Sequence, residues 1–267
     1  MTPRRRPALS AIDAFIAQHG LAGLIAAAAV LFVGGVAKGV VGFALPMIAI
    51  SGLGAFLPAP TAVALFIMSA LISNVWQTLR DGVGPAMTAM RRYRLLNAVL
   101  LPGILVSSQF VTMIDERVFF TTLGALLVAF ALSQLAGWRA TFLARWPRAA
   151  EVGAGLIGGL GGGMFGVWGP PVTLYLLACD TPKADTMRAL GLVFALGAIT
   201  LTIGHLISGV LNAQTLPLSL LGVAPVMAGM ALGYAVHDRL DPRAFRRATL
   251  AVLAVAGLNL LRRGLTG

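Results

Sequence analysis

The chain has 267 residues, 58% hydrophobic and only 11% charged, with a mean hydropathy of +0.89. A soluble domain carries about 25% charged residues, so this composition cannot cover a water-facing surface and specifies a multi-spanning membrane protein. Basic residues outnumber acidic ones 20 to 9, but they sit in short clusters between apolar runs, which reads as membrane topology and not as a nucleic-acid footprint.

In chain order, Arg4–Arg6 open a stretch interrupted by Asp13, Gln18 and His19, without the clean apolar core of a cleaved signal peptide. Residues 1–20 are expected to form an N-terminal interfacial segment with a short helix over 8–19. Runs 21–33 and 43–57 flank GGVAKGVVG (34–42), and runs 152–160 and 168–178 flank the core of GGLGGGMFGVWGPP (158–171). Each half-run is too short to span a bilayer alone, which takes about 20 residues. Full spans are predicted at 61–79, 95–112, 118–136, 187–207, 216–236 and 245–261, with a basic linker at 138–151. The predicted fold is an all-α polytopic membrane protein.

The chain repeats itself. With an offset of 124, Gly34, Gly35, Gly39, Gly42, Pro46 and Pro58 fall on Gly158, Gly159, Gly163, Gly166, Pro170 and Pro182. At 126, IDERVF (114–119) falls on LDPRAF (240–245). Two transmembrane repeats are read, 21–137 and 152–267, each with a Gly-broken short helix pair plus three full helices. Their charges swap sides. Loop 80–94 carries Arg80, Arg91, Arg92 and Arg94 with one Asp, while its partner 208–215 has no charge; turn 113–117 holds Asp115, Glu116 and Arg117, while its partner 236–247 holds Arg239, Arg243, Arg246 and Arg247 with two Asp. Equivalent loops then lie on opposite sides of the membrane, the plan of an inverted repeat. Inversion needs an odd number of crossings, met if each short pair is a re-entrant hairpin. Treating each pair as one broken crossing makes the repeats parallel and puts the basic loop 236–247 outside, so the hairpin is preferred.

The glycine breaks are each followed by proline and a helix start, PTAVA (60–64) and PKADT (182–186). With the IDERVF and LDPRAF turns, they resemble the sulfite exporter TauE/SafE family over about residues 20–263. The resemblance implies a permease of the bacterial inner membrane for small sulfur-containing anions such as sulfite or sulfonates. The first repeat has Val36-Ala37-Lys38-Gly39 where the second is richer in glycine at Gly161–Gly163.

Several other chemistries lack their residues. Gly161-x-Gly163-x-x-Gly166 has the letters of a dinucleotide fingerprint but no strand before it. There is no Walker A sequence around Lys38, no metal spacing among His19, His205 and His237, no GxSxG, and a single cysteine, Cys179. No cofactor is expected, and no enzyme activity. The glycine stretches instead suit an anion nest, in which unshielded backbone N–H groups and helix N-termini converge on an oxyanion. The competing role for the same glycines is close helix packing.

Lys38 is the lysine inside an apolar, glycine-rich run, and a charge at that depth is functional by default; it is the leading candidate counter-charge. The remaining candidate substrate contacts are Gly39, Gly42, Phe43, Asn74, Gln77, Gly161, Gly162, Gly163, Gly166, Trp168 and Arg188. Arg188 also suits the interface, and His205 is expected near a membrane face. No acidic residue is centred in a span, so no carboxylate proton relay is visible. Electrogenic anion export is expected, with proton-coupled symport, an anion channel and a membrane scaffold as rivals. The expected partners are a small anion and the lipid bilayer, with no nucleic acid, and the small-residue faces permit a homodimer.

Overall fold

The computed structural model describes residues 7–80, 82–138, 145–179, 183–237 and 241–266, which contain helices and no strand. The order is α1 (Pro7–Val41), α2 (Leu45–Leu53), α3 (Ala59–Arg80), α4 (Val83–Arg92), α5 (Arg94–Ser107) with a 3-10 turn (Ser108–Phe110), and α6 (Glu116–Leu135). It continues with α7 (Pro147–Phe165), α8 (Gly169–Ala178), α9 (Lys183–Ile207), α10 (Leu216–Leu221), α11 (Val223–His237) and α12 (Pro242–Thr266). Among the described residues, six stretches are long and apolar enough to cross a membrane: Ala11–Val41, Ala59–Arg80, Glu116–Leu135, Ala189–Ile207, Leu216–Val236 and Ala244–Thr266. The full span predicted at 95–112 is instead a shorter apolar helix, Arg94–Phe110, whereas α1, read as a half-run, is long enough to cross. The helix in α1 is divided at Gly20, whose φ of 71° is not helical, so the segment before it is a separate helix, as the N-terminal sequence predicts.

The glycine-rich stretches do not break where they begin. The α1 helix continues through Gly34, Gly35, Lys38 and Gly39 to Val41, and α7 runs through Gly158–Gly163 to Phe165. The half-runs are therefore longer than the sequence suggests, and the last residues of the linker 138–151, those after Trp146, belong to α7. Glycine weakens a helix by about 1 kcal/mol per residue relative to Ala. Here that loss is offset by contacts a side chain would forbid. A Cβ at Gly39 would lie 2.6 Å from the Met230 carbonyl oxygen of α11, and one at Gly233 would lie 2.9 Å from the Gly39 Cα. The same holds where α5 meets α7, with a Cβ on Gly103 2.9 Å from the Gly159 Cα, and where α6 meets α12, with a Cβ on Gly124 2.6 Å from the Gly257 carbonyl oxygen.

These seams set the topology. Along α1 and α11, Gly35 meets Val226 and Gly39 meets Met230, so the two run parallel; α5 and α7 are parallel by the same test. The α6 and α12 helices are antiparallel, with Gly264 against Thr121 and Arg246 bonded to Gln134. The exchange is reciprocal: α1 packs on α11 and α7 packs on α5, while α3 packs on α9 in the centre. Short α2 folds back along α1, placing Leu45 and Ile48 against Gly34 and Gly52 against Val30. The α8 helix folds back along α7, with Pro171 against Gly158. Both pairs are hairpins, not broken rods.

One end of the bundle gathers the loop after α2, the start of α6 and the end of α12: Arg263 bonds the Gly54 and Leu57 carbonyls, and the Glu116 carboxylate accepts the Ala59 N–H at 3.0 Å. At the other end, the Arg80 guanidinium lies 4.3 Å over the Tyr234 ring, and Glu151 of α7 accepts the Leu96 N–H of α5 at 3.0 Å. The α1–α2 hairpin opens to the Glu116 end and the α7–α8 hairpin to the Arg80 end.

Gly103→Val should lower stability by roughly 1–3 kcal/mol or more, because the seam has no room for it. Gly153→Ala meets nothing within 4 Å and should be neutral or stabilising by up to about 1 kcal/mol. Thermal unfolding in detergent compares the two; equal losses would show that the α5–α7 seam does not depend on close approach.

Candidate functional site

Both hairpin tips are built by one left-handed glycine. At the first, Gly42 adopts φ 91° and donates its N–H to the Lys38 carbonyl at 2.7 Å. Phe43 and Ala44 complete the turn into α2. At the second, Gly166 adopts φ 66°, its N–H reaching the Gly162 carbonyl at 2.8 Å and the Val167 N–H reaching the Gly161 carbonyl at 3.2 Å. The Gly166 bond is that of an αL helix end, with the glycine one residue past the helix. A Cβ on Gly166 would lie 2.2 Å from Phe66 Cζ, so space as well as φ requires glycine there.

The two tips meet. A small cleft is lined by Phe43, Pro46 and Met47 from the first tip, by Gly166 to Gly169 from the second, and by Asn74 of α3 and Phe194 of α9. It has room for about one water molecule. The N-termini of α2 and α8 both open here. The first bond of α2 runs from the Ile48 N–H to the Ala44 carbonyl at 3.1 Å, so the N–H groups of Leu45 and Met47 precede the helical ladder. Such N–H groups and the helix dipole favour an anion.

Lys38 lies one turn before the first tip and is only 1% exposed. Its ammonium donates to Asn74 Oδ1, and among the described residues no carboxylate pairs with it. Asn74 is itself buried, and it faces the cleft, whereas its neighbours on the predicted polar stripe do not. Ser73 bonds the Ala70 carbonyl, and Ser69 faces Gly222 at the α10–α11 junction. Trp168 walls the cleft at 2% exposure, edge-on to Phe194 with centroids 5.9 Å apart.

The structure thus brings Lys38, Gly42, Phe43, Asn74, Gly166 and Trp168 together. It places the other candidates elsewhere. Gly39 packs on α11, and Gly161, Gly162 and Gly163 lie inside α7, where Gly162 faces Ile104 and Trp168 and Gly163 abuts Ile104 and Ser107 of α5. Helical N–H groups are already bonded along the ladder, so these glycines support the tip and do not form a nest. Gln77 lies beyond Asn74 toward Arg80, half-buried, with Oε1 lacking a hydrogen bond. The side chain of Arg188, in α9, lies outside the described residues. His205, expected near a membrane face, lies in the last turn of α9 with its side chain buried in the protein. Met47, Gly169, Phe66 and Phe194 were not legible as site residues. Gly169 carried a signal, standing three residues after Gly166, but no spacing links Phe66 or Phe194 to the tips.

Among the described residues, six long apolar stretches and two opposed hairpins with a narrow cleft between their tips define a multi-pass membrane protein. The chain belongs to the family described as sulfite exporter TauE/SafE, whose pattern matches residues 26–260, nearly its whole length. The members of this family are membrane transporters, not enzymes. No curated protein and no solved structure matches the chain.

Asn74→Leu should strand the Lys38 ammonium and cost about 3 kcal/mol or more. The double variant Lys38→Met, Asn74→Leu should recover most of that loss. A double-mutant cycle by thermal unfolding checks this; simply additive losses would mean that the pair is not coupled.

Proposed function

We propose that the chain is a secondary transporter that carries a small sulfur-containing oxyanion, such as sulfite or a sulfonate, across the bacterial inner membrane, binding it in the cleft between the hairpin tips. The observation that carries this reading is Lys38: a buried ammonium without a carboxylate partner among the described residues, bonded to Asn74, which lines the cleft where two helix N-termini open. All three features attract negative charge, and none balances another. The cleft is narrow, with room for about one water molecule, which favours a carrier over an open channel.

The reciprocal packing of α1 on α11 and of α7 on α5, with hairpins entering from opposite ends, supports two inverted repeats, 21–137 and 152–267. Sidedness follows from charge. The Arg80 end carries Arg80, Arg91, Arg92, Arg94 and Arg148, while the Glu116 end carries Arg117, Arg262 and Arg263. Basic residues favour the cytoplasmic side, so the Arg80 end faces inward and the Glu116 end outward. An inside-negative potential then drives a monoanion outward by about 2.3 kcal/mol per 100 mV.

In proteoliposomes, Lys38→Ala should weaken sulfite binding and flux by roughly 10–100-fold, the loss of one charge-assisted contact. Retention of wild-type flux would remove Lys38 from the site. Flux of a permanently monoanionic sulfonate should rise with the clamped potential, and indifference to voltage would sink electrogenic export.

A further inference from the structure

We propose that His205 is a proton-operated latch at the Glu116 end of the bundle, separate from the Lys38 cleft. Neutral, it lets the tip of α7 dock; on taking a proton from the solution at that end it releases the tip. The inference rests on the transport reading only in naming that solution as the outer one.

The geometry is an interlock of three elements. His205 sits in the last turn of α9 with no exposed surface, its Nδ1 3.3 Å from Ser208 Oγ. Its imidazole faces the backbone of Gly163 in α7, and its Nε2 makes no hydrogen bond. Gly163 is clamped by α5: a Cβ there would lie 2.1 Å from Ser107 Oγ, and that hydroxyl donates to the Gly159 carbonyl at 2.9 Å. The residue before His205 is held the same way. A Cβ on Gly204 would lie 2.2 Å from Ser108 Oγ, and Gln109 donates to the Gly204 carbonyl at 3.1 Å. Gly166, which turns the chain into the cleft, follows Gly163 by three residues. Whatever loosens the interlock therefore loosens the tip.

Histidine is the side chain whose ordinary charge change falls between about pH 5 and 8. Among the described residues, the groups facing this turn are Ser107, Ser108 and Gln109 from α5 and its 3-10 turn, Gly159 and Gly163 from α7, and Gly204 and Ser208 from the end of α9. None is charged or titrates in that range. An imidazolium in this niche has no counter-charge among the described residues and no exposed surface, whereas opening of the tip hydrates it. Protonation thus shifts the population toward the open arrangement. The corresponding position at the other end, 125 residues earlier in the sequence, is Arg80. It is exposed and stacked on Tyr234. One end carries a permanent charge and the other a switchable one.

Hydrogen–deuterium exchange of the full chain in detergent, without added anion, tests the latch apart from transport. Lowering the pH from about 7.5 to about 5.5 raises proton activity roughly 100-fold, the ceiling on the shift. After correction for intrinsic rates, peptides covering 104–110 and 158–167 should exchange at least about 5-fold faster at the lower pH in the wild type, and His205→Gln should abolish the difference. Equal protection at both pH values in the wild type, or an undiminished difference in His205→Gln, overturns the latch. Should His205→Gln fail to fold, Ser208→Ala keeps the imidazole but removes its Nδ1 partner and must move the pH midpoint; an unmoved midpoint also overturns the latch. Absence of sulfite flux would defeat the transport reading and leave this result standing.

Discussion

Contact of backbone on backbone at glycine is the constraint on which this architecture depends. Lipid is as apolar as leucine, so apolar helices gain little by merely meeting, and association must come from close packing. The seams between α1 and α11, α5 and α7, and α6 and α12 each bring main chains together where a single Cβ would intrude. Two of these seams hold the long arm of a hairpin against a helix from the other half of the chain. That grip allows each hairpin to carry an irregular turn deep into the bundle.

Irregular backbone at membrane depth is tolerated only where protein or enclosed water covers it. The covers here are aromatic. Phe66 closes over Gly166, and Gly197 leaves room for the Trp168 indole, which in turn packs on Phe194. The two tips shield one another as well, Met47 lying near Gly169. Burial of the turns and narrowing of the cleft are therefore one event.

The electrostatics of the cleft are unfinished in a definite direction. Burying an ammonium removes its water, and the Asn74 carbonyl oxygen returns only part of that solvation. The two helix N-termini add positive potential to the same space. The oxyanion proposed above is a ligand class that would complete such a site. The tips also differ chemically: Lys38 stands on the first, whereas Gly162 occupies the equivalent place on the second, with Trp168 walling that side. Charge from one tip and an apolar wall from the other suit an ion with a charged face and a substituent.

Much was legible in the sequence, because its signals are local or compositional. Hydropathy marked five of the six long spans, since crossing a bilayer demands length and apolarity in a contiguous segment; it missed α1, whose glycines read as a break, and overread 95–112, where α5 is shorter. The offset of 124 marked two glycine breaks as a pair, and Lys38 announced itself as a charge in apolar surroundings. What the sequence could not decide was which glycines turn the chain and which pack. Gly42 and Gly166 turn it; Gly39 and Gly161–Gly163 stay helical, because a glycine-rich helix survives when a neighbouring backbone presses against it, and that neighbour is remote in sequence. The partner of Lys38, the burial of His205 and the joining of Phe66 and Phe194 to the cleft were likewise settled only by tertiary packing. Each depends on which faces of α3 and α9 meet the tips, and no periodicity within a single helix records that.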